Sequence, residues 1–239
     1  MPQRHHRALE NHSGTYLLDV PMEGTTVADG VLFDQRAAFG RQADLVVEVG
    51  GGAGDCIVAA AAADPDRDYL GIEVWRPGIA QTIAKAAHAG VRNLRLLTAD
   101  ALPTVRDFLP TAGVAEVWTF FPDPWPKTKH HKRRLVQPQF AAVVARALAD
   151  GGSWRLASDW ADYAWQIRDA VEAESAFGNP HAGRLPDPRD AELDPRGPHG
   201  GFAPRFEGRV MTRFERKGLQ AGRIIRDVHV LRNPRGSIQ

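Results

Sequence analysis

The chain has 239 residues, 43% of them hydrophobic, which suits one domain with a sizeable core. Its 30 Lys and Arg against 29 Asp and Glu leave a net charge of +1, so it is not a polycation. Any affinity for nucleic acid must come from a local patch. A single cysteine excludes an internal disulfide framework, no stretch is long and apolar enough to span a bilayer, and Met1 to Arg7 holds no apolar signal core. A soluble cytoplasmic protein is expected.

Apolar runs of strand length alternate with helix-period segments. Leu45 to Val49 reads as a buried strand and Asp55 to Ala63 as an Ala-rich helix. Tyr69 to Val74 is a second strand, and Pro77 to Ala89 a helix with Pro at its start and Gly90 past its end. Leu94 to Thr98 and Val114 to Phe121 are the third and fourth strands. Pro138 to Ala149 is a helix, Trp154 to Ser158 a fifth strand, and Ala161 to Ala173 a helix. Such alternation implies parallel β-α-β units in a doubly wound sheet, with ligands bound at the carboxyl ends of strands. Gly178 to Gly208 is rich in Pro and Gly and poor in aliphatics, which predicts a mobile surface insertion. Arg209 to Phe214 and Ile224 to Leu231 read as two more strands, forming a terminal antiparallel hairpin. One domain over residues 1–239 is expected.

The densest chemistry lies after the fourth strand, in Phe121-Pro122-Asp123-Pro124-Trp125-Pro126-Lys127-Thr128-Lys129-His130-His131-Lys132-Arg133-Arg134. The prolines stiffen the backbone around one carboxylate. Trp125 offers a face for a base, and the basic run offers charge for phosphates. Taken alone, the run is as readily a solvated face. After the first strand comes Glu48-Val49-Gly50-Gly51-Gly52-Ala53-Gly54-Asp55. Glycines at Gly50 and Gly52 let a cofactor approach the backbone. The dinucleotide spacing fails, because Asp55 stands where its third glycine belongs, and no P-loop Lys follows. An acid at Glu48 fits a cationic cofactor better than a pyrophosphate, and S-adenosylmethionine carries a sulfonium and an ammonium. A ligand-free tight turn is the alternative.

Glu73 ends the second strand, about 20 residues on from the loop, where an acid can accept from ribose hydroxyls. Asp100 ends the third and could accept from an adenine amino group. Asp123 and Asp159 follow the fourth and fifth, and Asp159 could also cap the next helix. Each acid alone reads as a solvated strand end; acids at successive strand ends point to one site. Cys56 is expected in the core, and the histidines lack metal-ligand spacing, so no metal is expected.

These motifs resemble the bacterial tRNA (guanine-N7-)-methyltransferases, S-adenosylmethionine-dependent enzymes of class I. The resemblance runs from about Gln3 to the end. It is carried by the Phe-Pro-Asp-Pro-Trp-Pro-Lys motif with His-Lys-Arg-Arg, by Gly71-Ile72-Glu73-Val74 with Arg76-Pro77-Gly78, and by Thr212-Arg213-Phe214-Glu215-Arg216-Lys217-Gly218. It implies a Rossmann-like α/β sheet, mostly parallel with a C-terminal antiparallel hairpin, and tRNA as partner. The methyl acceptor would be N7 of guanine 46 in the variable loop. By resemblance, Glu48, Gly50, Gly52, Glu73, Asp100 and Asp123 would bind the cofactor, with Asp123 catalytic. Lys127, Asp159 and Thr212, Arg213, Phe214 and Glu215 would contact the guanine, with Asp159 and Glu215 accepting from its N1–H and N2 amino group. Monomer and homodimer both fit. The chain departs from the family's pattern in three ways: Gly51 replaces a large apolar residue, the 178–208 segment is longer, and a basic N-terminal arm is expected to be missing. A methyltransferase for another base atom and a non-catalytic RNA-binding relative are the competing readings.

Overall fold

A computed structural model describes residues 3–187, 190–197 and 199–236, without the side chains of 4, 5, 190 and 191. The chain opens with helix α1 (Gln3–Tyr16), the ribbon β1 (Met22–Glu23) and β2 (Thr26–Val27), and α2 (Gln35–Phe39). The central alternation follows: β3 (Leu45–Val49), α3 (Asp55–Ala63), β4 (Asp68–Ile72), α4 (Arg76–Ala89), β5 (Leu94–Leu97), α5 (Ala101–Pro103) and β6 (Val114–Phe120). The last part holds α6 (Pro138–Ala147), β7 (Leu148–Ser158), α7 (Ala161–Glu172), β8 (Phe177–Gly178), α8 (Asp190–Leu193), α9 (Arg213–Gln220) and β9 (Arg226–Arg232).

Seven strands form one sheet in the order β5-β4-β3-β6-β7-β9-β8. The five from β5 to β7 are parallel, and β9 and β8 continue it antiparallel. The order runs outward from β3 to β5 and then jumps back to β6, so β3 and β6 flank the topological switch point, where such sheets bind ligands. All five residues of β3 are buried, as expected of a strand covered on both faces. Leu45, Val47 and Val49 pack with α6 and α7, whereas Val46 packs with α3 and α4.

The parallel strands and their helices fall within a few residues of the sequence reading, apart from β7, which starts at Leu148 rather than Trp154. The antiparallel pair at the sheet edge is present, but its members are β9 and β8. Arg209 to Phe214 is not a strand. Thr212 N-caps α9, its Oγ1 accepting from the Glu215 amide at 3.0 Å. Thr-x-x-Glu is the signature of a helix start, and it outweighs the β-prone residues before it.

Among the described residues of the segment 178–208, α8 is the one helix, and parts of the segment are buried, which a surface insertion would not require. Phe202 is fully buried beneath the Arg168 guanidinium, which pairs with Asp194. The Ala203 amide donates to Asp227 O on β9 at 2.8 Å, and the Phe206 ring packs at a tilt against Trp118 and Phe120.

Candidate active site

The glycine loop joins β3 to α3. Gly52 has φ 56°, a left-handed conformation open to glycine at little cost, and there its amide donates to Glu73 Oε2 at 2.8 Å. The Trp75 amide donates to the other oxygen, Oε1, at 2.7 Å. Glu73 thus ties the loop to the start of α4 and keeps further lone pairs on each oxygen. Lys85 secures the far end of the loop, pairing with Asp55 and donating to Ala53 O at 2.8 Å. At the next strand end, Asp100 Oδ2 accepts from Thr25 Oγ1 at 2.5 Å, and the Asp100 amide donates to Thr25 O. The β1–β2 turn therefore closes over Asp100.

Glu48 is 2% exposed, and its Oε2 is buried without a hydrogen-bond partner among the described residues. Burial, reinforced by the nearby charges of Glu73 and Asp55, pushes its carboxyl up to about 8 against the pull of the Ile57 amide. Gly51, the departure noted in the sequence, has a reason here. A Cβ at that position would stand 2.5 Å from Glu48 Oε2, so the carboxylate occupies the space a side chain would need.

Across the switch point, β6 leads into the Pro-rich motif. Phe121 and Trp125 both precede proline and both have positive φ, 54° and 43°. Such backbone costs about 1–3 kcal/mol per residue and persists only where the surroundings enforce it. Here they do: the Phe121 amide donates to Ala157 O on β7 at 2.8 Å. Arg134 Nε donates to Pro124 O at 2.8 Å, and the Arg133 guanidinium lies 5.0 Å from the Trp125 ring centroid. Asp123, between these fixed points, is exposed. The basic run forms a 3-10 turn over Thr128–Arg133 and divides in two. Lys127, Lys129, Lys132 and Arg133 are exposed, whereas Arg134 is buried, bonded to Gln166 and Asp162. Arg134 is a clamp on the motif rather than part of a charged face.

Asp159 follows β7, the neighbour of β6. It does not cap α7, whose N-cap is Trp160 without a side-chain bond. Its Oδ2 instead accepts from Arg223 Nε at 2.8 Å and pairs with Nη2. On α9, Arg213 and Phe214 are exposed, and Phe214 reaches toward the glycine loop: a Cβ at Gly52 would lie 4.0 Å from its Cε2. Thr212 serves as the cap already described. Glu215 is 1% exposed and accepts four bonds from Arg205 and Arg209, at 2.7 to 3.3 Å. A carboxylate has about four acceptor positions, so this one is saturated and has none left for a base. Burial raises its carboxyl, and the two guanidiniums outweigh that and hold it below the ordinary value.

Arg209 was missed at the level of sequence. It is fully buried, pairs with Glu215 and Asp227, and lies 5.4 Å from the Phe121 ring centroid. It thereby joins α9 and β9 to the Pro-rich motif. Only a charged residue beside a capping signature hinted at it.

A glycine loop at the switch point, acids at successive strand ends and a rigid Asp-Pro motif beside exposed cations define a methyltransferase of class I architecture. A family profile described as "Putative methyltransferase" matches residues 42–193. The tRNA (guanine-N(7)-)-methyltransferase of Paenarthrobacter aurescens (strain TC1) is 40% identical over 262 residues, covering 94% of this chain and 86% of that one. Its counterpart in Cutibacterium acnes is 46% identical over 224 residues, covering 93% and 76%. The crystal structure of the 16S rRNA methyltransferase KamB superposes with a TM-score of 0.56 at 18% identity, covering 88% and 98%, and shares the fold. The chain belongs to the tRNA (guanine-N7-)-methyltransferase family.

Proposed function

We propose that the protein transfers a methyl group from S-adenosylmethionine to N7 of guanine 46 in the variable loop of tRNA. The observation that carries this is the convergence at the switch point. There a glycine loop, with the buried Glu48 Oε2 beneath it and no partner for that oxygen among the described residues, follows β3, and the Asp123 motif follows the neighbouring β6, next to a turn bearing Lys127, Lys129 and Lys132. The relatives named above are N7-methyltransferases of tRNA guanine.

The residues fit the cofactor. Glu48 offers a buried, unpartnered oxygen to a cation, and Glu73 offers lone pairs to a ribose diol. Asp100 retains its second oxygen for an amino group, and Gly50 and Gly52 leave the loop open to close approach. When bound, S-adenosylmethionine supplies an electrophilic methyl group on its sulfonium. Guanine N7 presents an in-plane lone pair and no proton, so this chain needs no general base. Its task is orientation, which can supply roughly 7–11 kcal/mol of barrier lowering. Asp123, fixed between its two strained neighbours, would border the reacting atoms and offset positive charge growing on the base. Asp159 would accept from the N1–H and N2 amino group. Phe214 would flank the base, Arg213 and Lys127 would hold neighbouring phosphates, and Thr212 and Glu215 would position α9 beneath them. The whole chain would act as one catalytic domain in the cytoplasm, where unmodified tRNA is available.

The test is transfer of labelled methyl groups to a tRNA transcript with G at position 46, beside one with A there. Incorporation confined to the first supports the proposal. Equal labelling of both would overturn it.

A further inference from the structure

The Asp159–Arg223 pair carries an inference beyond the carboxylate's role, resting on the tRNA-guanine reading above. Arg223 binds through Nε and Nη2 to Oδ2 alone. Among the described residues, Asp159 Oδ1 and Arg223 Nη1 make no hydrogen bond, and both side chains are partly open to solvent. The pair is held at its base. The Arg223 amide donates to Gly218 O at 2.9 Å, and Gly218 lies so close to Asp159 that a Cβ there would stand 2.8 Å from the Asp159 Cβ. Gly218 thus sets both the position of Asp159 and the turn that presents Arg223. The pair sits after β7, beside the strand that carries the Asp123 motif.

We propose that Arg223 and Asp159 together read the Watson–Crick edge of the target guanine, the guanidinium donating to O6 while the carboxylate accepts from N1–H and the N2 amino group. Guanine presents acceptor, donor, donor along that edge, and a guanidinium beside a carboxylate presents the complementary order. Adenine presents an amino group where O6 would be and a lone pair at N1. It would face the arginine with a donor and the carboxylate with an acceptor. A site built to bond polar groups rejects the analogue that leaves them unpaired. As an isolated surface ion pair the contact would contribute little. As a reading head it makes Arg223 a specificity-determining residue.

The experiment compares Arg223→Ala with the parent enzyme in single turnovers, enzyme in excess, on two transcripts. One carries guanine at position 46; the other carries 2-aminopurine, which keeps N7 and the N2 amino group but has hydrogen in place of O6 and a lone pair in place of the N1 proton, a second loss that parent and variant share. The variant should lose about 10- to 100-fold in kcat/KM on guanine, the size of one hydrogen bond to a charged donor. It should lose less than about 2-fold on 2-aminopurine, and Arg223→Lys should recover part of the loss on guanine. Equal losses on both transcripts, or none on guanine, would overturn the proposal. If Arg223→Ala melts early, Arg223→Met, which keeps the length of the stem, takes its place. Failure of the parent enzyme to methylate the guanine transcript would instead count against the function proposed above.

Discussion

Glu48→Gln separates the fold's interest from the site's. The Glu48 carboxyl is raised from 4.5 to about 8 by burial, with Glu73 and Asp55 adding to it. At about 1.4 kcal/mol per unit, the rise corresponds to about 5 kcal/mol. The unfolded chain gives up this proton near pH 4.5, and the folded chain keeps it to about pH 8. The protonated carboxyl's contribution is therefore complete below 4.5, declines as pH rises between these values, and is gone above about 8. Glutamine, neutral throughout, removes the dependence and leaves an imperfectly paired amide costing about 1–2 kcal/mol. The net gain at pH 9 is then about 3–4 kcal/mol. At about 2–4 °C per kcal/mol for a chain of this size, Tm should rise by roughly 6–16 °C. At pH 5 the variant should melt level with the parent or slightly below it. Thermal melts of both proteins from pH 5 to 9, without cofactor, make the comparison. Melting curves that stay parallel across that range would refute the assignment of a buried, protonated Glu48.

The same group should release a proton when a cation binds beside it. Calorimetry of S-adenosylmethionine binding at pH 7, in buffers of different ionisation enthalpy, should give a slope approaching one proton released; zero slope would mean Glu48 does not meet the cofactor's charge. Asp123→Ala should cut turnover by at least about 100-fold while filter retention of tRNA stays near that of the parent, and a normal rate would remove its catalytic role. Replacing Lys127, Lys129 and Lys132 by Ala should weaken tRNA binding and flatten its salt dependence by about one unit per lost phosphate contact; an unchanged slope would make the turn a solvated face. Arg209→Ala should destabilise by about 3–5 kcal/mol, because it strands Asp227 in the interior and leaves the buried Glu215 with Arg205 alone, and a Tm within a degree of the parent would contradict the buried network.

The alternation of β3 to β7 with its helices was legible because parallel strands buried on both faces are written as unbroken apolar runs. The strand-end acids were legible for a related reason: a charge closing an apolar run stands out. What escaped was the partnership of charges. Nothing in spacing tells Lys132 from Arg134, yet one faces solvent and the other clamps Pro124 O. Likewise Glu215, placed by resemblance against the base, is consumed by Arg205 and Arg209, ten and six residues away in the chain. The helix at Arg213 was available from the Thr-x-x-Glu signature but lost to the β-prone run before it. The 178–208 segment was read from composition, which does not report that Phe202 and Asp194 find buried partners on α7.

Borohydride–aniline cleavage of a methylated transcript tests the central claim most directly, because it breaks the chain only at N7-methylguanine. After incubation with the enzyme and S-adenosylmethionine, the account expects one cut, at G46, absent when A stands there and absent with Asp123→Ala. Label in the RNA without that cut would mean that another atom receives the methyl group, and would contradict the account.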